Sequence, residues 1–394
     1  MRAACAVILV GVLVVAAGGA ADNGTPATTS ASAPSGFAPP RIAMFWSPAE
    51  TRGEPLLNTA RHDVIVTALD KIGLDRVPHK WFAMRERIDP KTVPAARRRL
   101  FRIRQVNPRA AVLLEVYFFE EDARGYPADH PWWQRGADGN RVQFWPGAYR
   151  MDLSNGQYVA HVARRIKAVH DAMGDSVGIF LDNLRFDAVA KAGWLSLLKQ
   201  VRADCGPNMP VLVNAGWDSN DLAWVAPLVN GIQYEDAVHH ADGNDTEAFY
   251  ARVAEFDTLT RRPRISVNEV YGKRTDIERM RRELIRTLVY TNAAFLYADS
   301  THGHRHRWYD EWGAPLGAAR DRPATPRPGR LARRRYANGL LLWLPASASG
   351  PQTVEVPQAM TEAITRRRVT SLALSPGRGA ILLTTPPASQ PTAG

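Results

Sequence analysis

Acids and amides recur at the ends of short apolar runs in this sequence. The run Gly178-Ile179-Phe180-Leu181 leads into Asp182 and Asn183. Gly231-Ile232-Gln233-Tyr234 leads into Glu235 and Asp236, so a glycine, a mostly apolar body and an acid appear twice. Other runs end near Trp46, Glu115 with Tyr117, Asn214, Asn268 with Glu269, and Tyr297 with Asp299. Paired carboxyl groups can break a glycosidic bond. One protonates the leaving oxygen while the other attacks the sugar or activates water. They must come from opposite sides of a cleft, hence from different strands. Asp182 and Glu235 meet that condition. The competing reading gives such acids to neighbouring amides, arginines or helix starts. Side chains alternate along a strand, so only one of Glu235 and Asp236 can face the cleft, and the sequence leaves open which.

The other side chains narrow the chemistry. No His, Ser or Cys ends a run, which argues against a Ser-His-Asp hydrolase and a His-rich metal barrel. No metal or cofactor is expected. The alternating histidines His302, His304 and His306 follow the last run and read as an exposed or substrate-contacting loop. His239 and His240 follow Glu235 closely enough to line the same cleft. Arg185, just past Asp182, could hold a substrate group or pair with Asp187. Aromatic residues crowd the long segment after Tyr117: Phe118, Phe119, Trp132, Trp133, Phe144, Trp145 and Tyr149. Flat rings stack on sugar faces, but they also build the small core of a long loop. Loops this long are usually functional. Trp217 and Trp308-Tyr309 are expected at the same face.

The elements that must position these groups follow from the apolar pattern. Runs near residues 42–46, 64–69, 111–118, 177–182, 210–214, 231–235, 264–269 and 294–299 have the length of strands buried on both faces. Helical spacing predicts helices over 94–107, 157–173, 194–204, 222–229, 247–256 and 276–290. Asp152-Leu153-Ser154-Asn155 and Thr275-Asp276 supply helix caps. Eight strands alternating with helices over about 275 residues predict an α/β fold, a (β/α)8 TIM barrel. The alternative, an open doubly wound sheet, lacks its Gly-rich first turn; that turn reads Ser47-Pro48-Ala49-Glu50. Residues 319–335 read as an Arg/Pro-rich connector. Runs near 340–344, 353–356, 369–374 and 380–383 predict a small C-terminal all-β domain over 336–385. The tail 386–394 reads as disordered.

These motifs resemble glycosidase-like (β/α)8 proteins, the hypothetical glycoside-hydrolase-like family 15 and, more remotely, the family 114 endo-α-1,4-polygalactosaminidases. The resemblance rests on Met151-Asp152-Leu153-Ser154-Asn155, Gly178–Asn183, Gly231–Glu235 and the terminal β region, and spans about 41–385. It implies a catalytic Asp ending the fourth strand and a Glu ending the sixth, with no metal. Asp182 would then be nucleophile or base, and Glu235 the general acid. Substrate contacts are expected from Trp46, Glu115, Tyr117, Trp145, Asn183, Arg185, Asn214, Trp217, Tyr234, Asp236, Asn268, Glu269 and Asp299.

Charge and the N-terminus set the partner. The 394 residues carry 50 Lys+Arg against 39 Asp+Glu, net +11. Residues 1–21 combine Arg2, an apolar run and small residues, which reads as a secretory signal peptide rather than an anchor. Its removal takes one arginine and no acid, so the basicity belongs to the exported chain. Residues 22–40 read as a flexible linker. After cleavage no membrane span is expected and Cys205 is the only cysteine left. Export and the lack of any nucleic-acid motif turn the basic charge away from DNA or RNA. A cationic polysaccharide would be repelled, so a neutral or anionic one is expected. A non-catalytic glycan-binding barrel is the alternative to a secreted glycoside hydrolase.

Overall fold

The computed structural model describes residues 40–47, 54–75, 86–218, 220–240, 246–301 and 303–384. The expected signal peptide, nearly all of the linker and the tail lie outside these residues. Eight strands form one parallel sheet: β1 (Ala43–Phe45), β2 (Val64–Thr67), β3 (Ala111–Glu115), β7 (Gly178–Leu181), β8 (Val211–Asn214), β9 (Gly231–Glu235), β10 (Val267–Gly272) and β11 (Ala294–Asp299). A parallel bridge between Ile42 and Phe295 joins the first strand to the last and closes the barrel. The fold is therefore the expected (β/α)8 barrel, and its active face is the one where the strands end. The two glycines that open the acid-bearing strands have a packing reason. A Cβ at Gly178 would strike Leu113 and the Pro210 carbonyl, and one at Gly231 would meet Ile265 and Ser266 backbone atoms at 2.5 Å.

The outer layer holds α1 (Pro55–Ala60), α2 (Leu69–Ile72), α3 (Val93–Val106), α4 (Gly156–Met173), α5 (Ala188–Cys205), α6 (Ala237–His240), α7 (Thr246–Leu259) and α8 (Ile277–Tyr290). Asn155 and Asp276 cap α4 and α8 through their side chains, as their position predicted. The helix expected over 222–229 is reduced to the single turn Ala226–Leu228. The seventh strand starts at Val267 rather than Arg264, because the Arg264 guanidinium is tied back to the Thr258 and Thr260 carbonyls at the end of α7. It gains residues at its far end instead, where Val270–Gly272 pair with Tyr297–Asp299.

Between β3 and α4 the chain forms a small antiparallel sheet, β4 (Glu120–Asp122), β5 (Gln143–Trp145) and β6 (Ala148–Arg150). A buried ion pair between Glu121 and Arg165 of α4 anchors it. The aromatic residues divide accordingly. Trp133 is 2% exposed and Phe118 is buried, so they are loop core, whereas Trp145 is 54% exposed.

The C-terminal sheet runs β12 (Ala332–Tyr336), β13 (Gly339–Leu344), β16 (Arg378–Leu383), β14 (Gln352–Glu362) and β15 (Arg368–Leu374) in spatial order. Its first strand begins inside the expected connector. Alternation gives β13 and β16 two buried faces. Leu341, Trp343, Ile381 and Leu383 join the barrel's core, while Leu340, Leu342, Leu344 and Leu382 form a separate core. Each such side chain contributes about 1.5–3 kcal/mol when fully buried.

The basic run 333–335 is mostly structural. Arg334 is buried and donates from Nη1 to the Leu288 carbonyl at 2.7 Å and to the Thr291 carbonyl, and from Nη2 to Asn292 Oδ1 at 2.5 Å. Those carbonyls lie at the C-terminus of α8, where a cation is favoured and the last acceptors need donors. Arg335 pairs with Asp321. Arg334→Ala should lower unfolding free energy by about 2–4 kcal/mol, because buried acceptors lose their donors. Urea denaturation of the two proteins measures this; an unchanged midpoint would contradict the capping role.

Candidate active site

The strand ends converge on a cluster of acids. Asn214, at the end of β8, donates from its one amide nitrogen to Asp182 Oδ1 at 2.8 Å and to Glu235 Oε2 at 2.7 Å. The two accepting oxygens, Asp182 Oδ1 and Glu235 Oε2, can be no further apart than those two bonds laid end to end. Asn183 donates to Asp182 Oδ2 at 3.0 Å and to Glu120 Oε1 at 2.8 Å. Trp46 Nε1 donates to Glu115 Oε2 at 2.6 Å. Tyr271 donates its hydroxyl to Glu235 Oε1 at 3.0 Å. Glu269 accepts from Gln233 at 2.6 Å and pairs with His304 Nδ1 at 2.6 Å. A cavity of about 400 Å³ opens here, lined by Trp46, Tyr117, Glu120, Trp145, Asp182 and His304 among others.

Burial dominates the electrostatics, since a low-dielectric site disfavours charge. Desolvation and then Asp182 push Glu115 up to about 8. Glu120 is raised well above the usual carboxylate range, by burial and then by Asp182 and Glu115. Asp182 rises to about 6 through burial and the charge of Glu235, opposed by the Asn214 hydrogen bond. Burial also raises Glu269, against the pull of His304. For His304, burial opposes the imidazolium, but Glu269, Glu235 and Asp182 outweigh it and raise the ring to about 9.

Strand alternation sorts the expected site residues. Glu235 faces inward. The next residue, Asp236, turns away in a left-handed conformation (φ 51°) and accepts from the Tyr271 backbone at 3.0 Å. Tyr234 points outward, fully buried against Phe249. Asn268 likewise faces the helices, donating to Thr287 Oγ1 at 2.7 Å. Both were expected in the cleft; with Glu235 and Glu269 pointing in, their neighbours must point out. Asp299 pairs with Arg274 and holds Thr301, which ties down the strand-end loop. Trp217, 62% exposed, lies parallel to the His240 ring at 4.2 Å. Arg185 does not pair with Asp187; it covers Phe119 and Phe144. Trp308 covers Arg61 and meets His62, and Tyr309 is buried, so both pack in the outer layer rather than at the mouth.

Two site residues, Glu120 and Tyr271, escaped the sequence reading, and His304 was expected only within an exposed or substrate-contacting loop. Glu120 lies on β4 of the small excursion sheet between β3 and α4, Tyr271 on the extended end of β10, and His304 in the segment after β11. Of the two readings given for that segment, His304 fits the substrate-contacting one, since it lines the cavity beside Asp182; His302 lies outside the described residues. His304 is largely enclosed beside Trp46, and His306 is fully buried with its Nε2 2.9 Å from that of His62.

Comparisons with known proteins bear on the fold. No family model matches the chain, and no curated protein matches its sequence. Solved structures do match. A debranching enzyme from Nostoc punctiforme, soaked with acarbose, is 13% identical with a TM-score of 0.53, covering 87% of this chain and 97% of its own. Eubacterium rectale Amy13B is 10% identical at 0.51, covering 87% and 95%. A GH27 β-L-arabinopyranosidase from Geobacillus stearothermophilus is 9% identical at 0.50, covering 89% and 97%. At such identities these likenesses establish a shared barrel architecture.

The His304 ion pair carries a pH signature. Its folded pKa of about 9 lies above the ordinary 6.5, so its stabilisation is full below 6.5 and is lost as pH rises through 9. Urea midpoints taken from pH 6 to 10 should fall more steeply for the parent than for His304→Gln. Parallel curves would show that the ring is neutral in the folded protein.

Proposed function

We propose that the protein is a secreted glycoside hydrolase that cleaves a polysaccharide with Asp182 and Glu235. The observation that carries this reading is the single Asn214 amide shared by the two carboxylates. It holds both acids at one spot, from strands on either side of β8. Facing oxygens within two hydrogen bonds of each other suit the roughly 5–5.5 Å of retaining enzymes better than the 6.5–9.5 Å of inverting ones. Asp182 attacks the anomeric carbon as the carboxylate and forms a glycosyl ester. Glu235 gives its proton to the departing oxygen, then takes one from the water that hydrolyses the ester. Tyr271 and Asn214 orient Glu235 through both of its oxygens.

The surroundings support a sugar substrate. Trp46, Tyr117 and Trp145 offer ring faces around the mouth, and Trp217 offers one on a neighbouring strand end. The barrel architecture shared with carbohydrate-active enzymes agrees with this reading, as does the resemblance to the family 114 pattern of an Asp on the fourth barrel strand and a Glu on the sixth. Export rests on the N-terminal sequence alone. The net basic charge favours a neutral or anionic polymer.

Asp182→Asn and Glu235→Gln should each reduce reducing-end release from a susceptible polysaccharide by at least about a thousandfold, with the fold intact by circular dichroism. Undiminished release by either variant would overturn the assignment. Release by neither parent nor variants across a broad glycan panel, with binding retained, would favour a glycan-binding barrel. For an active parent, kcat/KM should fall as pH drops below about 6, where Asp182 takes up its proton.

A further inference from the structure

A second cavity of about 490 Å³ opens next to the excursion sheet, lined by Phe119, Gln134, Arg150, Asp152, Arg185 and Asp187 among others. Two guanidinium groups share one pair of rings there. Arg185 lies 4.4 Å from the centroid of Phe119 and 5.0 Å from that of Phe144. Arg150 lies 5.4 and 5.5 Å from the same two rings. Stacking on aromatic faces leaves a guanidinium's N–H edge available for bidentate bonding. Among the described residues neither group makes a hydrogen bond or ion pair, and Arg150 Nε is buried without a partner.

The cavity's own carboxylates serve other tasks. Asp152 Oδ1 accepts from the Ser154 backbone at 2.9 Å and from its hydroxyl at 2.5 Å. Asp187 Oδ1 caps α5 by accepting from Ala190 at 2.9 Å. The positive end of that 18-residue helix faces the cavity through Val189 and Ala190, which favours an anion further. Burial lowers the Arg185 pKa; Glu120, Asp182 and Asp187 oppose this through space and Arg150 adds to it, but none of these acids hydrogen-bonds the guanidinium.

This cavity adjoins the acid cluster. Arg185 follows Asp182 by three residues, and the charges of Glu120 and Asp182 reach it. Phe144 lies 4.5 Å from Trp145, which lines the mouth.

We propose that Arg150 and Arg185 form a subsite for the carboxylate of an acidic sugar, adjacent to the sugar held between Asp182 and Glu235. The substrate is then a polysaccharide containing uronic-acid-type residues. This assignment deepens the glycosidase reading and rests on it only for the neighbouring site. The Phe119 and Phe144 rings hold the two forks in place, and the carboxylate supplies the acceptor that both forks lack, through paired N–H···O bonds.

The test uses the otherwise intact Asp182→Asn protein, titrated calorimetrically with a pentamer of galacturonic acid and with its methyl ester. The acid form should bind at least about tenfold tighter than the ester, as expected for charge-assisted bonds. Adding Arg150→Gln and Arg185→Gln should erase the difference, while the retained ester affinity reports a folded protein. Arg185→Lys should keep part of the preference. Equal affinities for the two pentamers, or a difference that survives both glutamines, would overturn the subsite. Inorganic sulfate competing as well as the pentamer would mark a generic anion site and also overturn it. Reducing-end release by the parent is scored separately. Cleavage without acid preference refutes the subsite alone; preference without cleavage supports the subsite and refutes the glycosidase reading.

Discussion

Like charges brought together out of water repel strongly, and this barrel places Glu115, Glu120, Asp182, Glu235 and Glu269 within one mouth. Much of the site's design answers that repulsion. Burial and neighbouring acids push Glu115 up to about 8 and raise Glu120 well above the usual carboxylate range. Glu269 is matched by the His304 imidazolium. Asn214, Asn183, Trp46 and Tyr271 direct N–H and O–H groups at the remaining oxygens. The mouth is therefore far less negative than its composition suggests. Its poise depends on donors that cannot swing away, because each stands at the end of a barrel strand or is packed against one.

That rigidity has a backbone cost that is visible at three strand ends. Trp46, Asn183 and Asp236 all have positive φ, at 54°, 59° and 51°. Such angles are uncommon outside glycine and cost of order 1–3 kcal/mol each in sparsely populated regions. Each one re-aims the chain just past a strand. Asn183 can then reach both Asp182 and Glu120, and Asp236 leaves the mouth to Glu235. The ladders behind these residues, with wholly buried bodies such as Gly178–Leu181, supply the packing that holds them in place.

The barrel was legible because buried parallel strands write continuous apolar runs, and seven of the eight runs coincide closely with observed strands. Half the site was legible for the same reason: an acid ending a run is an acid at the mouth. The misreadings also have physical sources. Tyr234 and Asn268 were included because a run's end was treated as one position, although adjacent side chains face opposite ways. Tyr271 was missed because Arg264 ties back the start of its strand, shifting the strand's end. Glu120 lies on a short strand outside the barrel and His304 on an irregular segment, and distant partners hold both, Arg165 with Glu121 in one case and His62 with His306 in the other. The unpaired guanidinium groups of Arg150 and Arg185 have no local sequence signature, because 35 positions separate them.

The seam between barrel and C-terminal sheet has a consequence for how this chain can change over evolutionary time. Arg334 and the Tyr336 hydroxyl, which donates to the Leu288 carbonyl at 2.7 Å, complete the end of α8 from another sheet. Arg286 of α8 reaches back over the Trp343 ring. A recombination event that exchanged the terminal sheet alone would sever both halves of this arrangement. The heritable module is therefore α8 together with the sheet, and a viable crossover falls before Ile277 rather than in the proline-rich stretch that resembles a boundary.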